Sequence, residues 1–418
     1  MEQGNTRRVI AAGAIGNVLE WYDFAVYGYF AAAIGRAFFP SEDPVAQVLS
    51  AFGIFAVGFL MRPIGGAVIG AIGDRLGRRA ALTFSVAAMA VPTFLVGVLP
   101  DYQTLGIAAP ILLTLLRMVQ GLSVGGEYTT SIIFIIEKSP PNRRALVGAL
   151  GCCGAVGGIL LGSATGALLA SVMSEPALES WGWRLPFLLG LLVGIAGVVL
   201  RRHIHEAPRK VPATRSPLLD TVRNHGPLLA RLAALSVFNS VGFYLMFVYI
   251  VSWLQFADNI APATALAINS TSMAVMLPVM VAMGWLSDRY GRRPVMLSAA
   301  ALGFFGALPF FWLMHQGQSE LVLLGQLGFV LSVGAFIGGQ PALMVESVPA
   351  AIRCTAIALG YNVTLGILGG FSPLVATWLV HRTDNDYSPA FMIMAAAAVS
   401  FAAILRFEET YRVKLQTA

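Results

Sequence analysis

The chain has 418 residues, of which 57% are hydrophobic and 11% charged, with a mean hydropathy of +0.75 and a formal net charge of +6. Soluble domains carry about 25% charged residues, so this composition excludes an ordinary soluble domain and indicates a polytopic membrane protein. The basic excess sits in short clusters between apolar runs, which excludes nucleic acid as a partner and makes the lipid bilayer the main one.

At about 20 apolar residues per crossing, the chain divides into twelve predicted spans. In the first half they are 8–35, 46–73, 80–99, 105–137, 145–172 and 184–203, and in the second 228–256, 263–287, 294–314, 320–347, 353–380 and 388–407. The polar N-terminus from Met1 to Arg8 runs directly into a span that contains acids, so it does not read as a cleavable signal peptide. The expected organisation is a six-helix half over 1–203, a linker over 204–227 and a second six-helix half over 228–418. Arg201, Arg202, Arg209, Lys210, Arg215, Arg223 and four prolines mark the stretch from Arg201 to Pro227 as a basic loop near anionic lipid, where His203, His205 and His225 read as solvated. Of the 27 Lys and Arg residues, 22 fall on the side that carries Arg7, Arg8 and the linker. By the positive-inside rule that side is cytoplasmic, which puts a multi-pass protein in the cell inner membrane with both termini inside.

Two motifs occur twice. Gly70-Ala-Ile-Gly-Asp74-Arg75-Leu-Gly77-Arg78-Arg79 returns 214 positions later as Gly284-Trp-Leu-Ser-Asp288-Arg289-Tyr-Gly291-Arg292-Arg293. Glu137, Pro140 and Arg144 return 209 positions later as Glu346, Pro349 and Arg353. Both motifs lie at the cytoplasmic ends of spans, and their nearly equal offsets indicate an internal duplication. Asp74 and Asp288 are suited to accept from backbone amides at a helix start, where the dipole favours negative charge. The expectation is a cytoplasmic gate made by these acids with Arg75, Arg78, Arg79, Arg289, Arg292 and Arg293, and by Glu137, Arg144, Glu346 and Arg353, closed in one state and broken in the other.

Ionisable groups within the bilayer cost several kcal/mol unless paired or wet, which makes Glu20, Asp23, Arg62, Arg117 and Glu127 functional candidates. All five fall near one depth of the first half, and Glu20, Asp23 and Tyr27 share a helical face. If all are ionised they sum to −1, so one bound proton neutralises the set. The proton site is expected at Asp23 or Glu127, with Glu20 nearby, and Arg117 and Arg62 as counter-charges that also suit a substrate carboxylate. Substrate contacts are expected from Arg62, Arg117, Tyr27, Gln120 and Tyr128, and from Asn239, Tyr244, Gln340 and Asn362 in a second half that has no charge at mid-depth. Gly151, Gly154, Gly157, Gly158, Gly162 and Gly166 put small residues along span five, as close helix packing requires.

The repeated Gly-x-x-x-Asp-Arg-x-Gly-Arg-Arg loop resembles the signature of the major facilitator superfamily. Four further stretches are similar to the metabolite:proton symporter family within it, whose members carry α-ketoglutarate, citrate, shikimate, proline or betaine. They are Gly16-Asn17-Val-Leu-Glu20-Trp21-Tyr-Asp23-Phe24, Gly58-Phe-Leu-Met-Arg62-Pro63-Ile-Gly-Gly66, Arg117 through Tyr128 with Gln120, Gly121, Ser123 and Glu127, and Trp181-Gly-Trp-Arg184-Leu-Pro186-Phe187. The resemblance implies an all-α membrane protein with the major facilitator fold, twelve transmembrane helices in two pseudo-symmetric halves, with Asp23 and Arg117 coupling protonation to substrate binding. Asn239 with Phe243 and Tyr244 resembles the proline/betaine branch more than the citrate branch.

The expected function is proton-coupled import of a small polar metabolite, an organic acid or a zwitterion such as proline or betaine, by alternating access. An uncoupled facilitator, a drug/proton antiporter and a transporter-like sensor are the alternatives. Cys152, Cys153 and Cys354 have no partner at metal-ligand spacing, and no nucleophile with a base lies at depth, so neither an enzyme nor a metal or other cofactor is expected. The partners are then the solute, protons and lipid around a monomer.

Overall fold

The computed structural model describes residues 18, 20–65, 78–124, 127–137, 139–201, 221, 223–413 and 415, and every regular element among them is helical. In chain order the long helices are α1 (20–38), α2 (Pro44–Gly65), α3 (Arg78–Val98), α4 in two pieces (Ala108–Ser123 and Glu127–Glu137), α5 (Arg144–Val172) and α6 (Leu185–Arg201). The second set is α7 (Gly226–Ala257), α8 (Pro262–Tyr290), α9 (Arg292–Met314), α10 (Ser319–Ser347), α11 (Arg353–Thr383) and α12 (Ser388–Leu405). Eight of them are individually long and apolar enough to cross a membrane, and the shorter apolar stretches Phe84–Val98, Ala108–Ser123 and Gly182–Leu192 occupy further positions in the bundle. The expected linker falls largely outside the described residues.

Local chemistry sets the boundaries. Asp43 caps α2 by accepting from Val45 N at 2.8 Å, with Pro44 at the first helical position. The predicted span 105–137 starts later than expected, because Asp101 caps a separate short helix, Tyr102–Leu105, which Gly106 ends at φ +58°. Gly291 makes the tight turn from α8 to α9 at φ +113°, a conformation that few residues other than glycine adopt. Two helices depart from the α pattern at mid-depth: Leu245–Tyr249 in α7 and Leu365–Gly369 in α11 are π-helical, a feature often found at functional sites.

The bundle is apolar on both sides. Large side chains such as Phe305, 76% exposed, cover its outer surface, which only a lipid environment tolerates over so wide an area. Inside, α5 lies along α8, α2 along α11, and the second piece of α4 against α10 and α11, so the two halves meet through these pairs. Glycines let backbones approach. A Cβ at Gly158 would lie 2.5 Å from Val18 O, and one at Gly284 would lie 2.8 Å from Ala145 O in the other half. The tightest such contact among the described residues of the first half is Gly121 of α4 against α2, where a Cβ would fall 1.9 Å from Gly58 O.

Gly121→Val is expected to force α2 from α4 and cost about 1–3 kcal/mol as overpacking, read as a lower melting temperature in detergent. Gly53→Ala has nothing within 4 Å of the added methyl and is expected to leave the melting temperature unchanged or slightly raised.

Candidate functional site

The centre of the first half holds two buried ion pairs joined by one aromatic ring. Glu20 and Asp23 lie a turn apart on α1, so both reach the same interior space. Asp23, with no solvent exposure, pairs with the equally buried Arg117 of α4 through Nη1. Gln120, one turn further along α4, donates from Nε2 to Asp23 Oδ1 at 2.8 Å and accepts from Arg117 Nη1 at 2.6 Å. Thr93 of α3 donates its hydroxyl either to Asp23 Oδ1 or to Met89 O, each at 2.8 Å, and accepts from Gln120 Nε2 at 2.9 Å. Tyr27 packs its ring under the Arg117 guanidinium at 4.0 Å, and its hydroxyl donates to Ala51 O of α2 at 3.1 Å.

The second pair is looser. Arg62 Nη2 of α2 lies 3.6 Å from Glu20 Oε1, beyond hydrogen-bond range. The guanidinium instead sits over three rings, with Cζ 4.2 Å from the centroid of Phe59, 5.0 Å from Phe24 and 5.4 Å from Trp21. Phe24 also lies 5.0 Å from the Arg117 guanidinium, so one ring touches both cations. Trp21 stacks on Tyr244 of α7 at 6.3 Å, which brings the second half to the edge of the cluster.

The other expected solute contacts lie apart from these charges. Asn239 and Gln340 line a small cavity of about 20 Å³, with Tyr361 and Thr129, between the halves. Asn239 Nδ2 donates to Tyr361 Oη at 3.5 Å, and Gln340 Nε2 donates to Ser236 Oγ at 3.1 Å. Asn362 is buried in α11 beside Tyr361. Glu127 and Tyr128 open the second piece of α4, but their side chains lie outside the described residues.

Charge also closes one end of the bundle. Asp288 at the end of α8 accepts from Ala145 N at 3.1 Å and Leu146 N at 2.9 Å, the first amides of α5, where the helix dipole favours an anion. Arg292 grips Glu346 through Nε and Nη2, both at 3.0 Å, and Asp288 through Nη1 at 2.7 Å. Arg144 reaches Glu346 at 3.4 Å and Val413 O at 2.9 Å, while Arg353 pairs with Glu137. The ties from Asp288 to α5, Arg144 to Glu346 and Arg353 to Glu137 each cross between the halves. Arg289 stacks near Trp285 and Tyr290, and Arg293 donates its backbone amide to Glu409 at 3.0 Å and Nη2 to Leu405 O at 3.3 Å, so neither contact crosses. Asp74 and Arg75 lie outside the described residues, and Arg78 and Arg79 begin α3 with side chains that do too. At the opposite end, outside the spans, burial pushes the Asp258 carboxyl up, and His315, with Nδ1 2.8 Å away, opposes that shift.

Sequence reasoning missed Thr93, the ring partners Trp21, Phe24 and Phe59, and the chain end. Thr93 is one of three hydroxyl residues in α3, with Thr83 and Ser85, and follows Pro92, which is a weak signal. Phe59 precedes Arg62 by three, a spacing that stacks a side chain against its neighbour one turn on. Glu409, whose carboxylate accepts from Arg292 N at 2.9 Å, and Thr410, which donates to Glu346 at 2.7 Å, follow the last span and gave no pattern to read.

The profile of the Major Facilitator Superfamily matches residues 13–373 and 259–417. The chain is 35% identical to the glycine betaine/proline/ectoine/pipecolic acid transporter OusA of Dickeya dadantii (strain 3937), over 100% of this chain and 86% of that one. It is 34% identical to the proline/betaine transporter of Escherichia coli (strain K12), over 98% and 85%. Among solved structures it is similar to a D-xylose-proton symporter, with a TM-score of 0.78 at 18% identity over 98% of this chain and 100% of that one. The inward open conformation of the xylose transporter XylE from E. coli gives a TM-score of 0.76 at 19% identity over 97% of each chain.

Asp288→Asn weakens the anion at the α5 start and the Arg292 pair together, and charged hydrogen bonds are worth about 1.5–3 kcal/mol each. The expected outcome is roughly tenfold faster alkylation of a cysteine placed at Met344, a cavity-lining residue, in a background with the native cysteines replaced.

Proposed function

This chain belongs to the Major Facilitator Superfamily, and we propose that it is a proton-coupled symporter that draws a small zwitterion of the proline or betaine type across the inner membrane. It is a multi-pass membrane transporter and not an enzyme. The observation that carries the coupling is the Asp23 carboxylate, wholly buried, facing Arg117, Gln120 and Thr93. Breaking one side of a buried ion pair costs about 3–5 kcal/mol because the other charge is left unpaired. A proton on Asp23 therefore leaves Arg117 without its counter-charge, and Arg62 adds a second cation across the Phe24 ring. The local excess of positive charge favours a solute that brings a carboxylate, which a planar guanidinium holds bidentately. Proton and solute bind together for this reason, each compensating what the other disturbs. Loss of the proton to the interior restores the Asp23 pair and expels the solute.

The end closed by Asp288, Arg144 and Arg353 carries the basic clusters, and the positive-inside rule makes it cytoplasmic, with both termini there. Two halves, 1–203 and 228–418, rock about the central site, joined through 204–227. Opening toward the interior breaks the crossing ion ties, and closing them returns the site to the outside. The names of the relatives, transporters of betaine and proline at 34–35% identity, favour a zwitterion over an organic anion. The neutral groups of the second half, Asn239, Gln340 and Tyr361, suit a solute without net charge.

Proteoliposomes given an inward proton gradient are expected to accumulate proline or glycine betaine, and a protonophore to abolish the accumulation. Asp23→Asn is expected to retain at most exchange or equilibration. Arg117→Lys is expected to fail as well, since a point charge does not reproduce the fork. Uphill uptake by Asp23→Asn equal to that of the native protein would remove Asp23 from the mechanism.

A further inference from the structure

Arg62 is placed unlike a structural arginine. It is 1% exposed, and among the described residues its Nε and Nη2 carry no hydrogen bond. Arg117 shares that, but Arg117 hydrogen-bonds Asp23 and Gln120 through Nη1, whereas the carboxylate beside Arg62 stands 3.6 Å away. A buried donor without a partner is destabilising, and an arginine kept only for packing has no reason to tolerate it. What holds the guanidinium is the aromatic wall of Trp21, Phe24 and Phe59, closed on the far side by Tyr244, whose hydroxyl also lacks a hydrogen-bond partner. Ring faces within about 6 Å of a cation are the recognition device for alkylated ammonium groups, and the distances of 4.2–5.4 Å from Cζ fall within that range.

Resting on the reading of the protein as a zwitterion importer, we propose that Trp21, Phe24 and Phe59 form the cation subsite of the transported solute, and that Arg62 occupies it as an internal surrogate until the solute arrives. The alkylated ammonium of the solute displaces the guanidinium from the rings. Glu20, already the nearest carboxylate to that position, becomes its counter-charge. The displaced Arg62 turns its open Nε and Nη2 edge onto the solute carboxylate, which it shares with Arg117 across the Phe24 ring. A solute with both charges is favoured because it exchanges one cation for another in the cage and brings a carboxylate within hydrogen-bond reach of Arg62, which Glu20 at 3.6 Å is not. A simple cation leaves Arg62 with nothing to hold, and a simple anion leaves Arg62 locked in the rings. Tyr244 joins the cage from α7 immediately before the π-helical turn, which places solute recognition at the contact between halves.

The test compares glycine betaine with 3,3-dimethylbutyrate, which has the same shape with carbon in place of the charged nitrogen, as competitors of labelled substrate uptake in proteoliposomes. The native protein is expected to prefer glycine betaine by roughly tenfold, Phe59→Leu to lose most of that ratio, and Phe59→Tyr, which keeps the ring, to retain it. The Arg62→Gln variant empties the cage and leaves Glu20 as the counter-charge of a cation that enters it. It is expected to bind tetramethylammonium about tenfold more tightly than the native protein does, measured by equilibrium dialysis. Equal competition by the two shapes, or tetramethylammonium binding unchanged in Arg62→Gln, would overturn the cage while native uptake of a zwitterion still upheld the transport reading. If the native protein accumulates none of proline, glycine betaine or ectoine, the transport reading falls, and the cage proposal falls with it.

Discussion

A carboxylate and a guanidinium at mid-membrane depth with no access to water are the constraint around which the chain is built. Each charge alone is costly in a medium of low polarity, and their attraction offsets that cost only when the geometry is close and the remaining lone pairs and protons are satisfied. Asp23 meets those conditions through Arg117, Gln120 and Thr93, whereas Arg117 is held by Nη1 and keeps Nε and Nη2 without a hydrogen-bond partner among the described residues. To bring α1, α3 and α4 near enough for four side chains to meet, the backbones must touch, and small residues allow it. The contact of Gly121 with Gly58 seats α4 against α2, and Gly158 seats α5 against α1. Packing that resembles ordinary membrane-helix association is thus the support on which the polar site rests.

The second pair is built differently, and the proposed solute site rests on the difference. Asp23 has its donors in place, whereas Arg62 has an aromatic wall and open hydrogen-bonding positions. In one arrangement the carboxylate is satisfied without a ligand and is disturbed by a proton. The other is incomplete without a ligand. Phe24 touches both guanidiniums, so movement at one site is felt at the other through a shared ring rather than through a long chain of contacts. At the end that carries the basic clusters, Asp288 on the α5 amides and Glu346 between Arg292 and Arg144 tie the two sets of helices together.

Much of this was legible in the sequence, for physical reasons. Charges stand out in apolar spans because the bilayer penalises them, and Glu20, Asp23 and Tyr27 share a face by helical periodicity. Duplicated loops single out the residues expected at a gate because their spacing repeats, and the structure brings Asp288, Arg292, Glu346, Arg144, Glu137 and Arg353 together in ion ties. The partners that complete each cluster were not legible. Thr93 looks like any hydroxyl in a helix, and Trp21, Phe24 and Phe59 look like core aromatics until a guanidinium is found among them. The chain end was opaque for a different reason. Glu409 acts by capping α9, a contact 117 residues distant in sequence that no periodicity encodes. The π-helical turns in α7 and α11 likewise follow from tertiary packing, and no residue pattern announces them.

The coupling of proton to solute at Asp23 is tested most directly by the pH change of a weakly buffered solution of purified protein when the solute is added. Uptake of about one proton per chain by the native protein on saturation with proline or glycine betaine, and none by Asp23→Asn that still binds the solute, is the expected result. Equal proton uptake by both proteins would place the coupling site elsewhere and contradict the account.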